Sequence, residues 1–358
     1  MLAAAAVAGC SRGGDASPPR QTVGDGPPPT EGPTRQPRAP ARTPEATPEP
    51  TPEPTPEPTP EPAPEPTADP TAAPEALPAV EPYEPVAGEV YPNAKRRAGR
   101  IAQELATYSH DETIADATER AIGSADDETI ETAEPLHRPG ANATGEVVYA
   151  QLGGLDPHDD ATSCSVMVIL RQRVSDGGEP HSVTRVLDVR LAVRDGEWVF
   201  ERFASAGGEE VPRPLDVSDA ARAVLDDDRI DLPDTARWDI HADLVDERLL
   251  EAMRWFADQA PYRVSCLVTG HPTNVFGTSR ESNHVVGRAV DVWAVDGEPV
   301  VTQQPEQQGA AWDAVNALFD EAMFESIGSP WALDEVGGIS FADPVHLDHL
   351  HLGFHSSQ

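Results

Sequence analysis

One tract limits what this chain can fold into. From residue 11 to about residue 90 the sequence is low-complexity, and its middle reads "TPEATPEPTPEPTPEPTPEPAPEP". A repeated Pro-Glu unit has no apolar face to bury, so it populates extended polyproline II and stays disordered. At about 3.1 Å per residue, roughly 80 such residues reach on the order of 250 Å. The physical expectation is a stiff, self-repelling stalk that holds a folded load away from a membrane, inside a cell wall. Folding is expected to begin near Tyr91.

Ahead of the stalk, "MLAAAAVAGC" resembles the end of a bacterial lipoprotein signal, with residues 1–10 as its remnant and Cys10 as the lipidated residue. The apolar run is far below the roughly 20 residues that span a bilayer. The usual basic segment is missing, which places the expected start codon upstream. A diacyl chain on Cys10 would supply the two anchors that stable attachment needs. The expected location is the outer face of the cytoplasmic membrane, within the cell envelope. The net charge is −36, from 26 basic and 62 acidic residues. That balance argues against nucleic-acid binding and against electrostatic docking on anionic lipid. Lys95 is the only lysine; arginine supplies the rest of the positive charge.

Two folded regions follow, both α+β. In 91–212, "NAKRRAGRIAQELATY" places Ala98, Ile101, Ala102 and Leu105 on one helical face. A short helix over 112–122 and strands over 145–152, 163–172 and 181–203 come next. Val183, Leu187, Val189, Leu191 and Val193 share one face at period two, and Asp195-Gly196 predicts a two-residue hairpin turn. The region reads as a small accessory domain that spaces or docks, with a cystatin- or NTF2-like helix-on-sheet shape. In 213–358, helices are expected over 218–226, 243–259 and 308–323. The second would bury Leu244, Leu249, Met253 and Phe256. A strand is expected over 262–270 and another at the C-terminus. Cys164 and Cys266 sit in different regions, each in an apolar strand, and are read as buried free thiols.

The chemistry concentrates in 213–358. Six of the eleven histidines lie between His271 and His355, four of them in the last thirteen residues. In "SNHVVGRAVDVWAVDG" (282–297), His284 stands seven residues before Asp291. The pair is either incidental polarity in a core strand or two metal ligands. Ala289, Asp291 and Trp293 share one strand face, Val290 and Val292 the other, and Ser282 and Gly287 allow a tight turn that returns His284 to Asp291. His349 and His351 are two apart and would project from one side of a strand. Either of them, with His284 and Asp291, would give a two-His, one-carboxylate site with an open fourth position, the arrangement of catalytic zinc.

"SNHVVGRAVDV" resembles the Ser-x-His-x-x-Gly-x-Ala-x-Asp motif of the zinc D-alanyl-D-alanine carboxypeptidase and dipeptidase family, whose fold the hedgehog amino-terminal domain shares. "DHLHLGF" resembles that family's closing motif. The resemblance covers about residues 215–358. It implies a hedgehog-like domain with an antiparallel sheet, zinc on His284, Asp291 and His351, Ser282 supporting the first ligand, and Asp348 as the catalytic acid. It further implies metal-assisted hydrolysis of peptidoglycan stem peptides by a carboxypeptidase or dipeptidase acting as a monomer. Two positions depart from the family. "TGHP" (269–272) replaces a segment that carries an arginine, leaving His271 and Arg280 as substitutes, and the acid is Asp where the family has Glu. His349 would then share the proton transfer. On an ideal strand Asp348 and His351 face opposite sides, so a bulge or twist is expected between them. His346 and His355 are read as rim residues. The competing reading is a zinc-containing module that binds wall peptide or a partner protein without catalysis.

Overall fold

The computed structural model describes residues 74–156, 161–303 and 307–355. Cys10 and the linker up to residue 73 lie outside the described residues. The packed chain begins before Tyr91. Tyr83 N–H donates to Gln103 Oε1 at 2.8 Å, and Gln103 Nε2 returns a bond to the Glu81 carbonyl at 2.8 Å. A Cβ on Gly99 would stand 2.3 Å from the Tyr83 ring, so only glycine lets this segment lie on the helix below it. The apparent linker therefore ends earlier than 90, because Tyr83 and Glu89 supply the burial that its Pro-Glu units lack.

The first half is α1 (Pro92–Leu105), α2 (Ile114–Ile122), α3 (Asp127–Ala133) and four strands: β1 (Asn142–Asp156), β2 (Ser163–Ser175), β3 (His181–Arg194) and β4 (Glu197–Ser205). Pro92 starts α1, and Ala98, Ile101, Ala102 and Leu105 are fully buried. Thr113 and Asp116 close α2 with reciprocal side-chain bonds, and Gly123 ends it with left-handed backbone. The strands form one antiparallel meander in the order β1-β2-β3-β4. Asp195 and Gly196, both at positive φ, make the tight turn between β3 and β4. One face of this sheet, with Leu187, Val189 and Leu191, packs under the helices.

The second half is α4 (Asp219–Leu225), β5 (Ile230–Asp231), α5 (Asp234–His241), α6 (Glu247–Ala257), β6 (Tyr262–Cys266), β7 (Ala289–Val295), β8 (Glu298–Pro299), α7 (Val300–Gln303), α8 (Ala310–Asp320), β9 (Ser326–Gly328), β10 (Ser340–Phe341) and β11 (Leu350–Gly353). Its sheet runs β10-β9-β11-β7-β6-β5, with β8 paired to β7. The central strands are antiparallel, while β5 and β10 join the edges in parallel. Asp246 caps α6, so Leu244 falls in the preceding loop and is 48% exposed instead of joining the buried stripe. Leu249, Met253 and Phe256 are buried as the periodicity predicts. The strand over 262–270 stops at Cys266, because the chain must turn there toward His271. Cys164 and Cys266 are free and buried.

The two sheets lie in one compact unit. The meander's second face packs on the second sheet instead of facing solvent. Tyr149 of β1 stacks on Trp293 of β7 at 4.7 Å between centroids and 14° between planes. Met167 and Val186 pack with Cys266. An offset aromatic stack of this kind adds about 0.5–1.5 kcal/mol beyond its buried area. The layers are thus helices, sheet, sheet, helices, and the seam between the sheets is where polar side chains collect. A mixed α+β fold with antiparallel sheets matches the sequence expectation. Within the meander β2 is buried along most of its length, whereas β4 is mostly open to solvent.

Candidate metal centre

Three strands set the site's spacing. Asp291 on β7 pairs directly across from His351 on β11 and from Cys266 on β6, so all three begin as cross-strand neighbours. His284 arrives through a turn. His284 N–H donates to Ser282 Oγ at 3.3 Å, and Gly287 N–H returns to the His284 carbonyl at 2.9 Å. Gly287 has φ of 68°, and a Cβ there would stand 1.9 Å from the Leu244 carbonyl oxygen. Left-handed backbone costs a side-chain-bearing residue about 1–2 kcal/mol before any clash. Gly287→Ala is therefore expected to lose about 3 kcal/mol of stability once overpacking is added. Urea unfolding would measure it, and a loss under about 1 kcal/mol would show that the turn can move aside.

The donor atoms converge. His284 Nε2 lies 3.1 Å from Asp291 Oδ1 and 3.1 Å from His351 Nδ1, and His351 Nδ1 lies 3.0 Å from Asp291 Oδ1. Donors held about 2.0–2.1 Å from one tetrahedral ion stand roughly 3.3 Å apart, so a single ion can touch all three. The tautomer agrees. His284 Nδ1 is held by the Leu267 carbonyl at 2.6 Å, which places its proton there and leaves Nε2 free to ligate. His284 and Asp291 are almost fully buried, and the His351 side chain is 13% exposed. Burial works against the Asp291 charge, yet His284 and His349 beside it hold the carboxyl well below the usual range. Burial, opposed by Asp291, pushes the His351 imidazole down to about 4, so it is neutral and able to ligate at neutral pH.

Cys266, His284 and Asp291 also form a buried group that could hold a metal ion. Cys266 Sγ is 3.9 Å from His284 Nδ1 and 3.9 Å from Asp291 Oδ2. Those are the atoms on the far side of each ligand, and His284 Nδ1 is already bonded to a carbonyl. Burial, then Asp291, raises the thiol well above its ordinary range, so the ligating thiolate is disfavoured. The tighter convergence is the one that ends on His351.

A cleft of about 440 Å³ opens over these atoms, lined by residues that include Asp291, His349 and His351. His271 stacks flat on His284 at 3.9 Å, and Ser282 lies 3.4 Å from its Nδ1. Arg280 is exposed on the cleft wall. His346 is held by Asp343 at 2.8 Å and packs its ring 5.0 Å from that of His349, deeper than a rim residue; exposed His355 is at the margin.

Asp348 is not among the residues that line the cleft. It sits with His349 in the turn before β11, so strand alternation does not govern it and no bulge is needed. Its side chain is fully buried. Oδ1 accepts from His349 Nδ1 at 2.6 Å; Oδ2 accepts from Lys95 Nζ at 2.5 Å and from the Leu152 N–H at 2.9 Å. Burial alone would raise this carboxyl, but Lys95 and then His349 bring it below its ordinary range. His349 Nε2 faces the site, 3.7 Å from Asp291 Oδ2. Burial disfavours a charged ring there, but Asp291 and Asp348 outweigh it and the His349 pKa rises.

Sequence reasoning missed the residues that reach this site from the first half. Gln151 Nε2 donates to Asp291 Oδ2 at 2.7 Å. Lys95 bonds both Asp348 and Glu89, all with fully buried side chains. Gln151 gives no signal, since a polar residue in a strand reads as solvent-facing. Lys95 gives one: it is the only lysine in a chain that otherwise uses arginine. An ammonium is a compact point charge, whereas the planar guanidinium fork demands more room. No protein-family model, curated protein or solved structure matches this chain.

Proposed function

We propose that the chain is a zinc-dependent peptidase of the cell envelope that hydrolyses peptidoglycan stem peptides, held at the membrane by a lipid on Cys10. The observation that carries this reading is the convergence of His284 Nε2, Asp291 Oδ1 and His351 Nδ1 under an open cleft, with a third imidazole, His349, turned toward them. Two imidazoles and a carboxylate favour zinc over calcium or magnesium. Bound there, zinc would supply Lewis acidity and make a water nucleophilic near neutral pH. The chain's own residues supply the rest. His349 Nε2, which faces the cleft, would hold and move the proton between nucleophile and leaving amine. Asp348 holds the ring through Nδ1 and stabilises it when charged. His271 and Arg280 border the cleft where a substrate carbonyl or carboxylate would lie.

The sequestered Asp348 favours one competing reading, a zinc-containing module that binds wall peptide without cutting it. Two measurements separate them. Zinc content should be about one per chain in the wild type and near zero in His284→Ala and Asp291→Ala; equal zinc in all three removes the metal reading. Zinc-loaded wild type should release products from muropeptides, detected by mass, and His349→Gln should be slower by about 10²–10⁴-fold. A zinc-loaded wild type with no products leaves the binding module.

A further inference from the structure

Gln151 sits on β1, fully buried, and both ends of its amide are used. Nε2 donates to Asp291 Oδ2 at 2.7 Å, and Oε1 accepts from the Ser265 hydroxyl. Asp291 thereby has two differently committed oxygens. Oδ2 is held by an amide from the opposite sheet, and Oδ1 alone points at His284 Nε2 and His351 Nδ1. Ser265 fixes the amide's rotation, since Oε1 facing the hydroxyl leaves only Nε2 for the carboxylate. A second contact has the same direction: the Leu152 N–H and Lys95 reach Asp348, which holds His349. The next residues of β1 carry a register shift between Leu152 and Gly154, and Leu152, Gly153 and Gly154 line the cleft.

We infer that Gln151 is a positioning residue of the metal centre, so that the meander of β1–β4 supplies part of the site's outer shell. The inference rests on the metal reading above. Groups that orient a ligand from behind are typically worth about 10–100-fold in metal affinity. Gln151→Met keeps the length and removes both hydrogen bonds. Titrated as the full chain against a chromophoric chelator, it should bind zinc about 10–100-fold more weakly than wild type. The visible spectrum of the cobalt-loaded protein should change, because Oδ2 is released. Equal affinity overturns the inference. So does weaker affinity with an unchanged cobalt spectrum, which is what general loosening would give. Should Gln151→Met fail to fold, Ser265→Ala keeps the amide and frees its rotation; it should show the same spectral change, and an unchanged spectrum and affinity overturn the inference. A wild type that binds no zinc would instead remove the metal reading itself.

Discussion

Replacing Lys95 with methionine is expected to cost about 3–5 kcal/mol of folding stability, the usual penalty for removing one partner of a buried ion pair. The Lys95 ammonium lies between Glu89 and Asp348, and all three side chains are out of solvent. Methionine fills similar volume, so the loss is electrostatic and not a cavity. It leaves Asp348 with the Leu152 N–H and His349 alone. Glu89 limits the damage. Burial already raises its carboxyl, and Lys95 is the largest influence holding it down. Without Lys95, burial pushes the Glu89 carboxyl up with its main opposing charge gone, whereas Asp348 keeps His349 at its other oxygen. Adding Asp348→Asn to Lys95→Met should therefore recover part of the loss, as removing both partners of such a pair does. Urea unfolding reads this as a lower midpoint with an unchanged slope. A loss under about 1 kcal/mol for Lys95→Met would mean that water reaches the pair.

What the sequence revealed and what it hid follow from the range of the interactions. The turn at Gly287, the strand from Ala289 and the split of Asp291 and Trp293 from Val290 and Val292 are local, so period and spacing expose them. Asp291 and His351 become neighbours through one antiparallel pairing, and both strands are visible. Gln151 and Asp291 are 140 residues apart and meet across two sheets, which no periodicity records. Cys266 reads as core because it is core; its nearness to His284 depends on register. The alternation of "DHLHLGF" extends the final strand back over Asp348. The strand begins at Leu350, and the preceding turn aims the carboxylate at Lys95. The short helices α3 and α5 lack the length that makes an apolar stripe stand out.

The segment 213–358, produced alone, is expected not to fold cooperatively, even though it carries His284, Asp291, His351 and His349. The cut would strip the partners from one face of β7: Trp293 loses Tyr149, and Asp291 Oδ2 loses Gln151. Cys266 loses Met167 and Val186. Asp348 loses Lys95 and the Leu152 N–H together and keeps only His349 to orient it. The core on the other side, with Val290, Val292, Leu350 and Leu352 under Phe256 and Leu318, stays intact. That one-sided loss predicts retained secondary structure without fixed packing: far-ultraviolet circular dichroism survives while the near-ultraviolet signal fades. Zinc binding should weaken by at least about 10²-fold, because the ligands must then be ordered at the expense of metal affinity. Adding the segment 74–212 in trans should restore both the near-ultraviolet signal and zinc affinity, since the seam is a surface the two pieces can re-form. A fragment with a cooperative transition and the full chain's zinc affinity would make the seam a mere contact between two independent domains. Restoration by the partner segment, and its loss when that segment carries Gln151→Met and Lys95→Met, would locate the dependence in those two side chains and not in apolar contact alone.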